Sequence, residues 1–174
     1  MAPYRVLMVC MGNICRSPTA EAVLRHQLSQ AGLEGFVEVD SAGTHAFHVG
    51  EAPDPRSQQH AARRGYDLSV LRARRVAPSD YERFDLLLAM DWDNLHLLEN
   101  GAPDDPAARR KLRRLVDYLP KDSPHAGAQA VPDPYYGGEA GFEHVLDLVE
   151  AACAGLVAQL TAAMPHRGRA ATDH

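Results

Sequence analysis

Apolar and polar positions fall into blocks along this chain, and each block has its own period. Tyr4-Arg5-Val6-Leu7-Met8-Val9 is a short, mostly apolar run that ends at Cys10 and reads as a buried strand. Ser17, Pro18 and Glu21 then introduce a stretch of helix formers. Ser17 suits an N-cap and Pro18 the first helical position, so a helix is expected over about 18–30. Ala22, Val23 and Leu28 would face inward, and Gly32 would end it. Phe36-Val37-Glu38-Val39-Asp40 alternates with the period of a strand. Residues 41–56 form a loop rich in Gly, His and Pro, and a helix follows over 55–64, closed by Gly65.

Residues 84–90 are the clearest strand, continuous and apolar between charged neighbours. Asp91 is placed to cap a helix running to Glu99, which Asn100-Gly101 ends. By pattern alone 111–119 divides between helix and strand, and 120–141 is a second long loop punctuated by four prolines. Phe142, Val145, Leu146, Val149, Cys153, Leu156, Val157 and Leu160 then recur at helical spacing, which predicts a strong amphipathic closing helix. Strands alternating with helices, without an internal repeat, give an α/β fold with a parallel sheet. Its ligand sites lie where strands end and helices begin, which is where Cys10 stands.

Composition narrows the class. A length of 174 residues predicts one domain, expected over 1–164 with 165–174 as a flexible tail. With 45% hydrophobic and 24% charged residues, the chain can bury a core. A net charge of −5 argues against partners held by anionic backbone or membrane surface, so neither nucleic acid nor membrane is expected. The basic stretches Arg72, Arg74, Arg75 and 109–114 read as solvated faces. No uncharged apolar run approaches the roughly 20 residues that span a bilayer, and the N-terminal run is too short for a signal peptide. Three cysteines, two of them only five positions apart, point to free thiols and a cytoplasmic location. His45 and His48 lack an acidic or cysteine partner on a regular element, so neither metal nor other cofactor is expected.

The chemistry concentrates in Cys10-Met11-Gly12-Asn13-Ile14-Cys15-Arg16-Ser17, a C-x5-R-S loop between a strand and a helix N-terminus. Such a turn aims successive backbone N–H groups into one hollow, and the helix adds its positive end, so the hollow attracts an anion. Arg16 adds a planar fork that matches two phosphoryl oxygens. A thiol at the start of the loop sits in that positive field, which favours its nucleophilic thiolate form. Gly12 permits a positive φ, and Asn13 tolerates one and can pin the loop through its side-chain amide. Ser17 can donate to the sulfur. The absence of Gly-Lys-Ser/Thr separates this loop from the ATP-type phosphate loop. A cysteine nucleophile also needs an acid and later a base, and Asp54-Pro55, Asp105-Pro106 and Asp133-Pro134 all remain candidates from sequence, each equally readable as a turn.

The stretch CMGNICRSPTAE, Cys10 to Glu21, resembles the signature of the low-molecular-weight protein tyrosine phosphatases. Asp40-Ser41-Ala42-Gly43-Thr44, Ala52-Pro53-Asp54-Pro55-Arg56, 85–90 and Asp133-Pro134-Tyr135-Tyr136 match in the family's order, so the resemblance covers about 4–163. It implies a four-stranded parallel sheet flanked by helices on both faces, with 112–116 as the fourth strand. It implies hydrolysis of phosphotyrosine monoesters through a phosphocysteine intermediate. In that reaction Cys10 attacks, Arg16 and the loop 11–15 bind the phosphoryl group, and Asp133 is acid and then base. Asp54 would line the same mouth, Phe47, Tyr135 and Tyr136 would grip the substrate ring, and Ser41 would support the loop. Ile14 resembles the tyrosine-directed members, whereas arginine-directed relatives tend to carry Thr there. Cys15 is either a loop filler or a redox partner for Cys10. The family's usual His is replaced by Leu71, which leaves Asn13 to rely on Ser41, Ser17 or water.

The partners implied are phosphotyrosine proteins, met by a monomer or weak dimer. The competing readings are an arsenate reductase, a protein-arginine phosphatase and a non-catalytic phosphotyrosine binder. Thioredoxin-coupled reductases need two further cysteines, and none lies between Cys15 and Cys153, so only a version using an external thiol competes. The joint presence of Cys10, Arg16 and Asp133 argues against the binder.

Overall fold

The computed structural model describes residues 2–164. Four parallel strands, β1 (Tyr4–Cys10), β2 (Val37–Gly43), β3 (Leu86–Ala89) and β4 (Leu112–Arg114), stand in the order β2-β1-β3-β4. Helices α1 (Arg16–Gln30) and α6 (Glu139–Ala163) cover one face, and α3 (Asp80–Arg83) and α4 (Trp92–Gly101) cover the other. Helices α2 (Pro55–Arg63) and α5 (Pro106–Arg110) complete the set. Because both faces of β1 are buried, its residues need not alternate in polarity. Val6 and Met8 enter the core under α1 and α6, while Leu7 and Val9 enter the core under α3 and α4. The four-stranded parallel sheet and its two-sided cover agree with the expectation.

Several boundaries differ from the pattern, for physical reasons. Helix α1 begins at Arg16, with Cys15 in the cap position and no side-chain cap; Ser17 is not the cap, since its hydroxyl turns to Cys10. Ala22 is only partly buried, whereas Ala20 and Leu24 join Val23 and Leu28 inside. Strand β2 runs past Asp40 to Gly43 because Ser41, Ala42 and Gly43 pair with Met8, Val9 and Cys10. Strand β3 is shorter than 84–90, since Phe84 instead closes α3.

The ambiguous stretch contains both kinds of structure. Strand β4 stops at Arg114, short of Val116, and a 3₁₀ turn occupies Leu115–Tyr118. Helices α3 and α5 are too short to show a period. The predicted flexible segment 165–174 lies outside the described residues.

Helix α6 starts three positions before its first apolar anchor, Phe142. By length and composition it could cross a bilayer, but here its apolar face, including Val149, Ala152 and Cys153 at 0% exposure, is packed in the core with α1. Gly155 lets it approach the end of the 3₁₀ turn so closely that a Cβ there would overlap the Tyr118 carbonyl oxygen. Replacing Gly155 with Ala should therefore cost about 2–3 kcal/mol, read as a lower urea midpoint at unchanged slope.

Candidate active site

The loop leaves the carboxyl end of β1 beside the end of β2, where Cys10 is paired with Gly43. Three of its carbonyl groups are taken by neighbours outside the loop. Thr44 N–H donates to Cys10 O at 2.9 Å, His45 N–H to Met11 O at 3.0 Å, and Asp54 N–H to Ile14 O at 2.8 Å. The amides of Gly12, Asn13, Ile14 and Cys15 have no acceptor among the described residues. A loop with its carbonyls tied back and its amides unspent is an anion receptor. Gly43 permits this closeness, since a Cβ there would lie 2.7 Å from Met11 O.

The left-handed residue is Asn13, at φ 57°, and not Gly12. At Gly12 a Cβ would stand 3.0 Å from the His48 ring, a tight contact that the ring would have to yield to. Asn13 is buried and its side chain is fully engaged. Its Nδ2 donates to Ser17 Oγ at 2.8 Å and Ser41 Oγ at 2.9 Å, and its Oδ1 accepts from Arg74 N–H at 3.0 Å. Ser41 Oγ in turn donates to the buried Glu21 carboxylate at 2.7 Å. Burial pushes the Glu21 carboxyl above its ordinary value, against the pull of Ser41 and Arg25. The directions are thereby fixed. Ser17 Oγ accepts from Asn13, so its own proton is free for Cys10 Sγ, 2.9 Å away. Leu71 packs at the edge of the main core, and the Arg74 amide is a support for Asn13 that sequence reasoning did not include.

Arg16 is only 2% exposed. Its Nη1 donates to Asp91 Oδ2 at 2.6 Å and to Val131 O at 3.1 Å, and its Nη2 stands 3.7 Å from Asp133 Oδ2. Burial opposes the charge, but Cys10 and Asp91 outweigh it and raise the guanidinium above its ordinary value. Asp91 does two jobs, since its other oxygen accepts the Asn94 N–H at 2.7 Å and caps α4. The sequence signalled only the cap.

Around the thiol the structure gathers Met11, Gly12, Ile14, Cys15, Arg16, Phe47, His48, Asp133, Tyr135 and Tyr136 about a hollow of about 300 Å³. Phe47 and Tyr136 are largely exposed at its rim, and Phe47 stacks on His45 with centroids 5.2 Å apart. His48, weighed in the sequence only as a metal ligand, also lines the hollow. Asp133 is 40% exposed at its side chain, and its Oδ1 accepts the Tyr135 N–H at 3.0 Å. A larger groove of about 640 Å³ beside β2, near Arg5, Arg25 and Asp40, contains no cysteine.

Asp54 is not among the residues that line the hollow. It caps α2 and grips Arg56 with both oxygens, at 3.1 and 2.9 Å, and Arg56 in turn donates to Tyr135 O at 2.9 Å. Burial would raise the Asp54 carboxyl, but its hydrogen bonds to Arg56 hold it below its ordinary value. Cys15 is buried at the α1 N-cap position, its thiol pushed up to about 12 by burial and only partly restrained by Ser57. All three cysteines are free, and Cys153 is in the core.

Residues 5–166 match the family model described as low molecular weight phosphotyrosine protein phosphatase. The low molecular weight protein-tyrosine-phosphatase of Streptomyces coelicolor is 48% identical over 155 residues, which cover 89% of this chain and 92% of that protein. A crystal structure of a protein tyrosine phosphatase from Entamoeba histolytica superposes with a TM-score of 0.85 at 38% identity, covering 92% of this chain and 98% of that one. The structure of YfkJ from Bacillus subtilis gives a TM-score of 0.85 at 36% identity, with coverages of 94% and 98%.

Two outcomes test this geometry. Glu21→Gln keeps an oxygen for Ser41 and should stay near wild type, whereas Glu21→Leu orphans the hydroxyl and should lower kcat/KM on an aryl phosphate about tenfold. The depressed Asp54 carboxyl stabilises the fold above its unfolded pKa of about 3.9, and that contribution is lost as pH falls through the lower folded value. The stability gap between wild type and Asp54→Asn, measured by urea unfolding, should therefore be wide at pH 7 and shrink below about pH 4.

Proposed function

The chain belongs to the low molecular weight phosphotyrosine protein phosphatase family, and from that membership we propose how its own residues divide the reaction. It is a protein-tyrosine phosphatase that hydrolyses phosphotyrosine monoesters through a phosphocysteine intermediate. In the first step the Cys10 thiolate attacks phosphorus, the bond to the tyrosyl oxygen breaks, and Asp133 gives its proton to that oxygen. The inward amides of 12–15 and the Arg16 fork hold the three equatorial phosphoryl oxygens as charge shifts across them. In the second step Asp133, now a carboxylate, takes a proton from water. The resulting oxygen attacks phosphorus, the sulfur–phosphorus bond breaks, and inorganic phosphate leaves. The Ser17 hydroxyl, aimed at the sulfur by Asn13, stabilises the thiolate as it departs.

The observation that carries this reading is the convergence of Cys10, Arg16 and Asp133 on one hollow. Ile14 in the loop and the Tyr135-Tyr136 pair at the rim favour an aryl ester over phosphoarginine. A tyrosyl phosphate has the reach to bring phosphorus to a thiol at the floor of a recess, and a seryl phosphate falls short. Asp54 acts through Arg56, which holds the Tyr135 backbone and with it the wall of the mouth. Cys15, in the same loop five positions from Cys10, is the thiol that can close a disulfide on an oxidised Cys10, losing its proton as it displaces the oxygen there; burial keeps it protonated and slow to do so otherwise. Residues 1–164 are read as one domain, acting on phosphotyrosine proteins in the cytoplasm as a monomer or weak dimer.

Phosphate release from phosphotyrosine, phosphoserine and phosphoarginine peptides, compared side by side, should favour phosphotyrosine strongly. Cys10→Ser should abolish it, and rapid acid quench of the wild type should trap phosphorus on Cys10. Turnover by Cys10→Ser would refute the assignment.

A further inference from the structure

Both groups that hold Arg16 Nη1 stand next to residues touched by one side chain outside the hollow. Asp91 precedes Trp92, and Val131 follows Gln129 by two positions. Arg114, the last residue of β4, donates from Nη1 to Gln129 O at 2.7 Å, and its guanidinium carbon lies 3.8 Å from the centre of the Trp92 ring. Its Nη2 is paired with Asp117 at 2.8 Å, so its charge is answered locally and its orientation fixed. Its side chain is only 13% exposed.

The position matters because 119–138 contains no regular helix or strand. Among the described residues, its hydrogen bonds to other elements are few. Val131 N–H donates to Met90 O, Arg16 donates to Val131 O, Arg56 donates to Tyr135 O, and Arg114 donates to Gln129. This segment carries Asp133. A loop that supplies both an anchor for a buried cation and an acid has little of its own structure to hold it in place.

We propose that Arg114, stacked on Trp92 and bonded to Gln129, is a positioning residue that braces the two anchors of Arg16 and the loop bearing Asp133. It touches no reacting atom. A guanidinium suits the task because it stacks flat on an indole while donating from two nitrogens in its own plane, which an ammonium does not do. The inference rests on the roles given above to Arg16 and Asp133.

The test uses the full chain and two esters, p-nitrophenyl phosphate, whose leaving group needs little protonation, and phenyl phosphate, whose leaving group needs it. Arg114→Leu is expected to lose about tenfold in kcat/KM on phenyl phosphate and clearly less on the nitrophenyl ester. Trp92 is the chain's single tryptophan, so its emission is a direct second readout. Inorganic phosphate should change that emission in the wild type and not in Arg114→Leu. Trp92→Ala should reproduce the kinetic loss and Trp92→Phe should restore it, while Gln129→Ala, which removes only the longer 3.4 Å bond from Arg114 to Gln129 Oε1 and keeps the backbone carbonyl, should lose far less than Arg114→Leu.

Should Arg114→Leu not fold, the Trp92 pair decides alone. Wild-type kinetics in Arg114→Leu or Trp92→Ala would overturn the brace, as would an equal loss on both esters that merely follows a lower melting temperature. Arg16→Lys separates the two levels. Full turnover there would overturn the role of Arg16 and the brace with it, whereas lost turnover there beside an unaffected Arg114→Leu would overturn the brace alone.

Discussion

A guanidinium removed from water beside a nucleophilic sulfur is the constraint around which this molecule is arranged. Arg16 is 2% exposed and stays charged because Asp91 and the Val131 carbonyl take its inner nitrogen, leaving the outer one toward the hollow and Asp133. A buried cation without such partners would be costly; with them it becomes a fixed source of positive potential. Arg16 stands at the start of α1, and its partners arrive from two other places in the chain, the start of α4 and the long loop after the 3₁₀ turn. The sheet is what makes them neighbours. Cys10 and Ala89 end adjacent parallel strands, so the loop after β1 and the cap of α4 open on the same edge.

The loop's curvature has a second, independent support. Asn13 adopts a left-handed backbone, an unusual conformation for a residue with a side chain, and three side-chain hydrogen bonds hold it there. Asn13 Nδ2, which can only donate, sends one hydrogen bond through Ser41 to Glu21 and the other to Ser17, whose hydroxyl faces the thiol. Leu71 lies at the edge of the main core and takes no part in this network. The loop forms the floor of a mouth whose rim residues, Phe47 and Tyr136, are exposed.

Much of this was legible in the chain itself, because the relevant physics is local. A continuous apolar run, a glycine-containing loop and a run of helix formers specify a strand, a turn and a helix within a dozen residues, though the helix starts at Arg16, two positions before Pro18. The order Cys, five residues, Arg, Ser then places a nucleophile and a cation on that turn. The same holds for α4, whose cap at Asp91 was apparent, and for the periodic face of α6.

What only the tertiary structure decided were contacts between segments far apart in sequence. That Asp91 also grips Arg16, 75 positions away, has no local signature, because a cap and an ion-pair partner are the same residue type. Glu21 read as an ordinary helix former until β2 brought Ser41 within 2.7 Å of it. Asp54 and Asp133 are both Asp-Pro turns; folding bonds the first to Arg56 and leaves the second 3.7 Å from Arg16. Local sequence sets which conformations are cheap for each segment. Which polar groups meet, and therefore which charge is buried, answered or free to react, depends on the packing of the whole.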